Sequence, residues 1–180
     1  MSKRVIDAAE VARAHESLGL TTEIADQGVY ERTVQRFQER NIALPTFAEL
    51  ADPSTIPAAR IAPLAGLDRN EPDSRNLFRV HWFGRLDGSG PHEVPDYIEL
   101  PSEMTGVEAR ILLAVGNRFP MIRAHKVLAA YSCLVPRLVT GRFDPTAHRA
   151  VWPPRATTPE GASPSRASWI VAAWPCSPRG

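Results

Sequence analysis

The sequence predicts an α/β protein in which a helical N-terminal extension precedes a parallel sheet with flanking helices. Three observations carry this prediction. Apolar residues recur at helical spacing in residues 5–17 and again in 27–40. The run 77–83 alternates and is rich in β-forming residues. From about residue 109 to 152 the pattern reads strand, helix, strand, an order typical of parallel strands joined by a crossover helix.

Apolar periodicity and helix-breaking residues together predict the N-terminal elements. Residues 5–17 predict a first amphipathic helix, and about 27–40 predict a second one. The apolar face of the second helix is formed by Val29, Tyr30, Val34 and Phe37. Residues 46–50 predict a short third helix, whereas prolines make 52–76 mostly a connector. We therefore assign 1–75 to a helical extension and connector.

The second half of the chain is predicted to hold the sheet. Residues 77–83 and 97–100 predict two strands, and the apolar run 109–115 has the length of a buried strand. A helix is predicted over 123–135, with apolar residues on one side. Ala150-Val151-Trp152 is predicted to begin a further strand.

Composition excludes several classes of protein. The 180 residues carry a formal net charge of +1, which gives no basic field for nucleic acid. The apolar stretches are shorter than the about 18 residues that a membrane span needs, and no signal sequence is recognised, so a cytoplasmic location is expected. Cys133 and Cys176 are far apart, and neither they nor the five histidines show metal-ligand spacing. Cys133 is predicted to be a small buried apolar residue.

Lys126 is the candidate catalytic residue. It and Lys3 are the only lysines in a chain with 21 basic residues, the rest being arginine. A lysine, unlike an arginine, loses its proton when desolvated and then acts as a nucleophilic amine. The ordinary interpretation of a single lysine is a solvated side chain at a helix start. The residues around Lys126 favour the functional interpretation.

Four motifs surround this lysine. They are Pro101-Ser102-Glu103-Met104-Thr105-Gly106, the run 116–127, Thr140-Gly141-Arg142-Phe143-Asp144-Pro145 and Val151-Trp152-Pro153. Together they resemble a group of pyridoxal-phosphate (PLP) enzymes of the tryptophan-synthase β / cysteine-synthase superfamily, fold type II, described as cysteine-synthase-like. The resemblance covers roughly 75–153 and is most specific over 116–131. It implies that 76–153 is the start of a PLP-dependent α/β domain.

The resemblance also implies a chemistry. Lys126 is then the residue that binds PLP through a Schiff base and removes the α-proton of an amino-acid substrate. The implied reaction is β-elimination or β-replacement, by a lyase or transferase that forms a homodimer. Positive charge at the helix start, with Arg123 and His125 nearby, disfavours the ammonium form of the amine. His125 is predicted to be a local positioning group. A non-catalytic α/β module that only makes protein contacts remains the alternative.

The chain changes character after Pro153. As printed, residues 154–180 predict a disordered tail, although two tryptophans fit such a tail poorly. When the codons for residues 153–158 are read in the frame that starts at each third base, they permit Ser-Thr-Gly-Asn-Tyr, the substrate-binding loop of the family. Residues 159–167 then permit Arg-Gly-Gly-Val-Ala-Ile-Ser-Arg, which also follows in the family. We interpret the tail as out of frame after loss of a single nucleotide at codon 153.

This interpretation predicts that the chain as printed is an inactive N-terminal fragment. The loop that contacts the substrate carboxylate is not encoded in the printed frame. The glycine-rich loop that holds the cofactor phosphate with backbone N–H groups is not encoded either.

Overall fold

Most regular structure in the described residues, which are 7–18, 21–85 and 90–150 of a computed structural model, is helical. The α-helices in these ranges are α1 (Ala8–Leu18), α2 (Gln27–Glu39), α3 (Phe47–Ala51), α4 (Ala58–Ile61), α5 (Ser102–Thr105) and α6 (Lys126–Val139). Short 3₁₀ turns lie at Pro53–Thr55, Ala62–Leu64, Ser74–Arg79 and Gly116–Arg118. Within the same ranges, no helix is long and apolar enough to cross a bilayer.

The predicted helices are confirmed in the first half of the chain and at α6. Side-chain caps explain where two of them begin. The Asp26 carboxylate accepts from the backbone N–H of Val29 at 2.9 Å and starts α2. Thr46 and Glu49 form a capping box at the start of α3. The connector predicted over 52–76 folds into α4 and short 3₁₀ turns.

The hydrophobic core is organised around α6. One side of this helix is buried, through Val127, Ala130, Tyr131, Leu134, Val135 and Leu138. These residues pack with Leu50, Leu77, Val80 and Phe119. The Tyr131 hydroxyl donates to the Pro45 carbonyl, which ties α6 to the segment before α3. Cys133 lies on the opposite side and is exposed, so its predicted burial is wrong.

A second set of contacts joins α2 to the chain that leaves α6. The backbone N–H of Ala25 donates to the Thr140 carbonyl at 2.8 Å. Arg32 Nη2 lies 2.8 Å from Asp144 Oδ2, although 112 positions separate the two residues. Hydrogen bonds from Thr146 and then from Arg32 hold the pKa of the Asp144 carboxyl well below its usual range. We call these contacts the α2–α6 seam.

The sheet differs from the predicted one. Strand β1 (Tyr97–Leu100) pairs antiparallel with β2 (Ile111–Ala114), so the parallel sheet expected from the sequence is wrong for the described residues. The connection between these strands contains α5 and the left-handed Gly106, which reverses the chain without a crossover. The predicted burial of 109–115 is also wrong, since Leu112 and Leu113 are each about half exposed.

The strand predicted over 77–83 is wrong as well. Residues 74–79 form a 3₁₀ turn that begins where the Asp73 side chain accepts from the backbone N–H of Arg75. Leu77 and Val80, three positions apart, are both buried. Asn76 and Phe78, on either side of Leu77, are buried as well, so burial in this segment does not alternate as it would in a half-exposed strand. The strand predicted at 150–152 and the tail 154–180 lie outside the described residues, apart from Ala150.

Candidate functional site

The structure places Lys126 at the first position of α6, as the sequence predicts. The chain reaches it from β2 through the 3₁₀ turn Gly116–Arg118 and the loop 119–125. The buried residues of α6 fix the direction of the helix, and therefore fix the backbone from which the Lys126 side chain leaves. A helix N-terminus carries partial positive charge from its unpaired N–H groups.

Two left-handed residues shape the loop before Lys126. Met121 and Arg123 have φ angles of 65° and 51°. For non-glycine residues this conformation costs about 1–3 kcal/mol, so the surroundings must hold it. The Met121 N–H donates to the Arg69 carbonyl at 2.8 Å, and Arg123 Nε donates to Asn70 Oδ1 at 3.3 Å. The loop is therefore fastened to the segment 69–70.

Aromatic rings pack beside the lysine. The Trp82 ring stacks on the ring of His125 with centroids 5.7 Å apart, and meets Phe119 edge-on at 5.0 Å. A Cβ added at Gly116 would lie 3.1 Å from His125 Nδ1, so the backbone of the 3₁₀ turn also approaches this histidine closely. His125 is thus confined next to Lys126.

The amine itself is not enclosed. Lys126 is exposed, and so are Arg123 and His125. The desolvation that favours a neutral, nucleophilic lysine is therefore not supplied by the described residues. They provide an amine at a helix start and a neighbouring aromatic ring. These two features alone do not form a cofactor site.

A cavity that the sequence did not predict lies on another side of the core. Its volume is about 310 Å³, and four arginines line it: Arg69, Arg79, Arg85 and Arg118. Three of them lie within residues 69–85, and Arg118 comes from the later 3₁₀ turn. The rest of the wall includes His81 and the apolar side chains of Leu64 and Phe78. We call this space the arginine cavity.

His81 is the most perturbed histidine of the described residues. Burial lowers the pKa of its side chain to about 4, from an ordinary value of 6.5. Its Nδ1 accepts from the Phe83 N–H at 3.2 Å. At neutral pH the ring is therefore uncharged and carries its proton on Nε2.

We expect His81 to make the protein sensitive to mild acid. Because its pKa is lower in the folded protein, the unfolded chain binds an additional proton as pH falls from 6.5 towards 4. The stabilisation is complete above pH 6.5, and about 3 kcal/mol of it is lost by pH 4. His81→Asn, whose amide oxygen replaces Nδ1 as acceptor, should flatten this part of the curve in urea unfolding measured at several pH values. The exposed His15→Gln should leave the curve unchanged, and equal curves for wild type and His81→Asn would refute the assignment.

Comparison of the chain with protein-family models, curated proteins and solved structures gave no match. Among the described residues, no group of three or more His, Cys, Asp or Glu side chains is arranged to hold a metal ion.

Proposed function

We propose that this chain is the N-terminal part of a PLP-dependent lyase or transferase of the fold type II, cysteine-synthase-like group. Its substrate is an amino acid, which undergoes β-elimination or β-replacement. Lys126 is the residue that carries the cofactor. The observation behind the proposal is the position of this lysine, first in α6 and directly after a strand and a fastened loop.

The surroundings of Lys126 support a role that needs accurate placement. The buried face of α6 prevents the helix from rotating, because any rotation would expose Tyr131 and Leu138. The loop before the lysine keeps two left-handed residues, Met121 and Arg123, in place by long-range hydrogen bonds. Unfavourable backbone geometry that is held in this way is concentrated at functional sites.

The exposure of Lys126 supports the second half of the proposal, that the chain as printed does not turn over. PLP would supply an electron sink for the substrate carbanion when bound. The Lys126 side chain is in contact with solvent, and the loops implied for substrate and phosphate follow codon 153 in the other frame. The fragment therefore contains the lysine but not the loops that would enclose it.

A specific observation also favours the non-catalytic alternative. The β1–β2 hairpin exposes large apolar side chains, namely Tyr97, Ile98, Leu112 and Leu113. Adjacent apolar residues exposed in this way are typical of surfaces that contact other proteins. In a protein-contact module this hairpin would be the contact surface. In a fragment of an enzyme it is the place where the rest of the domain packs.

Two measurements test the proposed function. Sequencing the gene around codon 153 should show whether the printed frame is the natural one. The frame-restored protein is then incubated with PLP, reduced with borohydride and digested, and the phosphopyridoxyl group is located by mass spectrometry. We expect a stoichiometric label on the Lys126 peptide, with Lys3 as an internal control for non-specific labelling. A label at other positions only, or no label, would favour the contact module.

A further inference from the structure

The arginine cavity has an excess of positive charge. Arg69, Arg79, Arg85 and Arg118 line it, and no Asp or Glu is among the described residues of its wall. Burial, followed by the nearby Arg118 and Arg123, lowers the pKa of Arg69. Burial followed by Arg69 lowers the pKa of Arg79. These cations therefore repel each other, an effect that the nearby Asp68 carboxylate offsets only in part, and a bound anion would relieve the repulsion.

The contacts that hold Arg79 in place are with uncharged groups, and one contact of Arg69 is as well. Arg79 Nη2 donates to the Leu64 carbonyl at 2.6 Å, and its Nη1 donates to the Leu67 carbonyl at 3.0 Å. Arg69 Nη1 donates to the Arg85 carbonyl at 3.2 Å. Backbone carbonyls orient a guanidinium group but do not neutralise it. Arg79 is thus positioned in advance by contacts that leave its charge in place.

Arg118 supplies a donor that lacks an acceptor. Its Nη2 lies 2.6 Å from Asp96 Oδ2, and its side chain is only 17% exposed. Its Nε is buried and has no hydrogen-bond partner. A buried donor without an acceptor costs about 1–3 kcal/mol, and a ligand oxygen would remove this cost. The neutral His81, with its proton on Nε2, offers a further donor in the same wall.

The remaining wall is apolar and well supported. Leu64 and Phe78 are buried and form a small hydrophobic cluster with Ile56. Across the cavity, Gly84 and Pro91 form an antiparallel bridge. A volume of about 310 Å³ is at the lower end of the range for small-molecule sites.

We propose that the arginine cavity binds a small organic anion, a carboxylate or phosphate monoester attached to an apolar or aromatic body. The anionic group meets the guanidinium groups and the body lies against Leu64 and Phe78. The proposal is independent of Lys126 and of the reading frame, since every residue that it uses precedes codon 153.

Calorimetric titration of the 180-residue protein tests this site with two probes, phenyl phosphate and benzoate. Benzyl alcohol, which has the same ring without charge, is the ligand control. We expect one or both anions to bind at one site, and the stronger of the two identifies the anionic group. Saturation by benzyl alcohol as strong as that by the anions, or no heat from either anion at millimolar concentration, would overturn the proposal.

Variants locate the binding. Arg85→Gln and Arg118→Gln should each weaken the anion about tenfold, the effect of one charge-assisted hydrogen bond. Arg85 is exposed, so its variant keeps the test valid if loss of the Arg118–Asp96 pair impairs folding. Arg60→Gln is the matched control. It removes the same charge from exposed Arg60 on α4, next to Ile61 of the cavity wall, and should change affinity less than twofold. An equal loss of anion affinity in Arg60→Gln and Arg85→Gln would show that the anion is attracted by the general positive charge of the protein and is not bound at a specific site.

Discussion

Replacing Lys126 with Ala in the frame-restored protein should abolish covalent incorporation of PLP. Only an unprotonated primary amine condenses with the cofactor aldehyde, so Lys126→Arg should fail as completely although it keeps the positive charge. The absorbance of the bound cofactor and the mass added after borohydride reduction measure the loss. Since the Lys126 side chain is exposed in the described chain, neither variant should lower the stability of this part of the protein by more than about 0.5 kcal/mol.

Two controls complete this experiment. Lys3→Ala removes the other lysine and should leave incorporation intact. Far-UV circular dichroism of the Lys126 variants should match that of the wild type. Full incorporation in Lys126→Ala would contradict the assignment, whatever the reading frame proves to be.

Gly141→Ala should be the most destabilising single substitution that we predict. Gly141 follows α6 with a φ angle of 70°, and an added Cβ would lie 2.1 Å from the Asp26 carbonyl oxygen. Left-handed geometry costs an alanine about 1–2 kcal/mol. Displacing a backbone carbonyl in a packed region adds about 1–3 kcal/mol. The free energy of unfolding should therefore fall by about 4 kcal/mol, a large part of the stability of a domain of this size.

Gly106→Ala is the matched control for this substitution. Gly106 has nearly the same φ angle, 69°, but no heavy atom lies within 4 Å of its added Cβ. Its variant should lose only the conformational part, about 1–2 kcal/mol. Denaturant unfolding of both variants measures the difference, which isolates the close approach at the α2–α6 seam. Equal losses in the two variants would show that this approach contributes nothing.

Local signals predicted the helices and the positions of β1 and β2, but they failed for the strand at 77–83 and for the direction of pairing. Asp26 and Thr46 cap α2 and α3 through contacts within three residues, so the sequence contains the whole signal. The run 77–83 alternates, but its burial is decided by distant partners. Arg79, for example, donates to the carbonyls of Leu64 and Leu67. The antiparallel pairing of β1 with β2 depends on the connection between them, which periodicity does not encode.

The Lys126 site and the arginine cavity likewise differ in how far the sequence predicts them. The helix start at Lys126 could be predicted because loop and helix are continuous in the chain. Its exposure could not, since burial depends on elements from elsewhere in the protein. The arginine cavity combines three arginines of residues 69–85 with the distant Arg118, and a chain with 21 basic residues gives no reason to select these four. The perturbed pKa of His81 is likewise a result of packing and has no signature in its neighbours.

The α2–α6 seam has a consequence for synthesis on the ribosome. Asp144, the partner of Arg32, lies 112 positions downstream in the chain. At about 5–20 residues per second, translation of this stretch takes on the order of ten seconds. Until Asp144 leaves the exit tunnel, α2 lacks the contacts of the seam. We therefore expect the nascent polypeptide to be accessible to chaperones during that interval. A stalled product that ends before residue 140 would lack the seam and should be degraded rapidly.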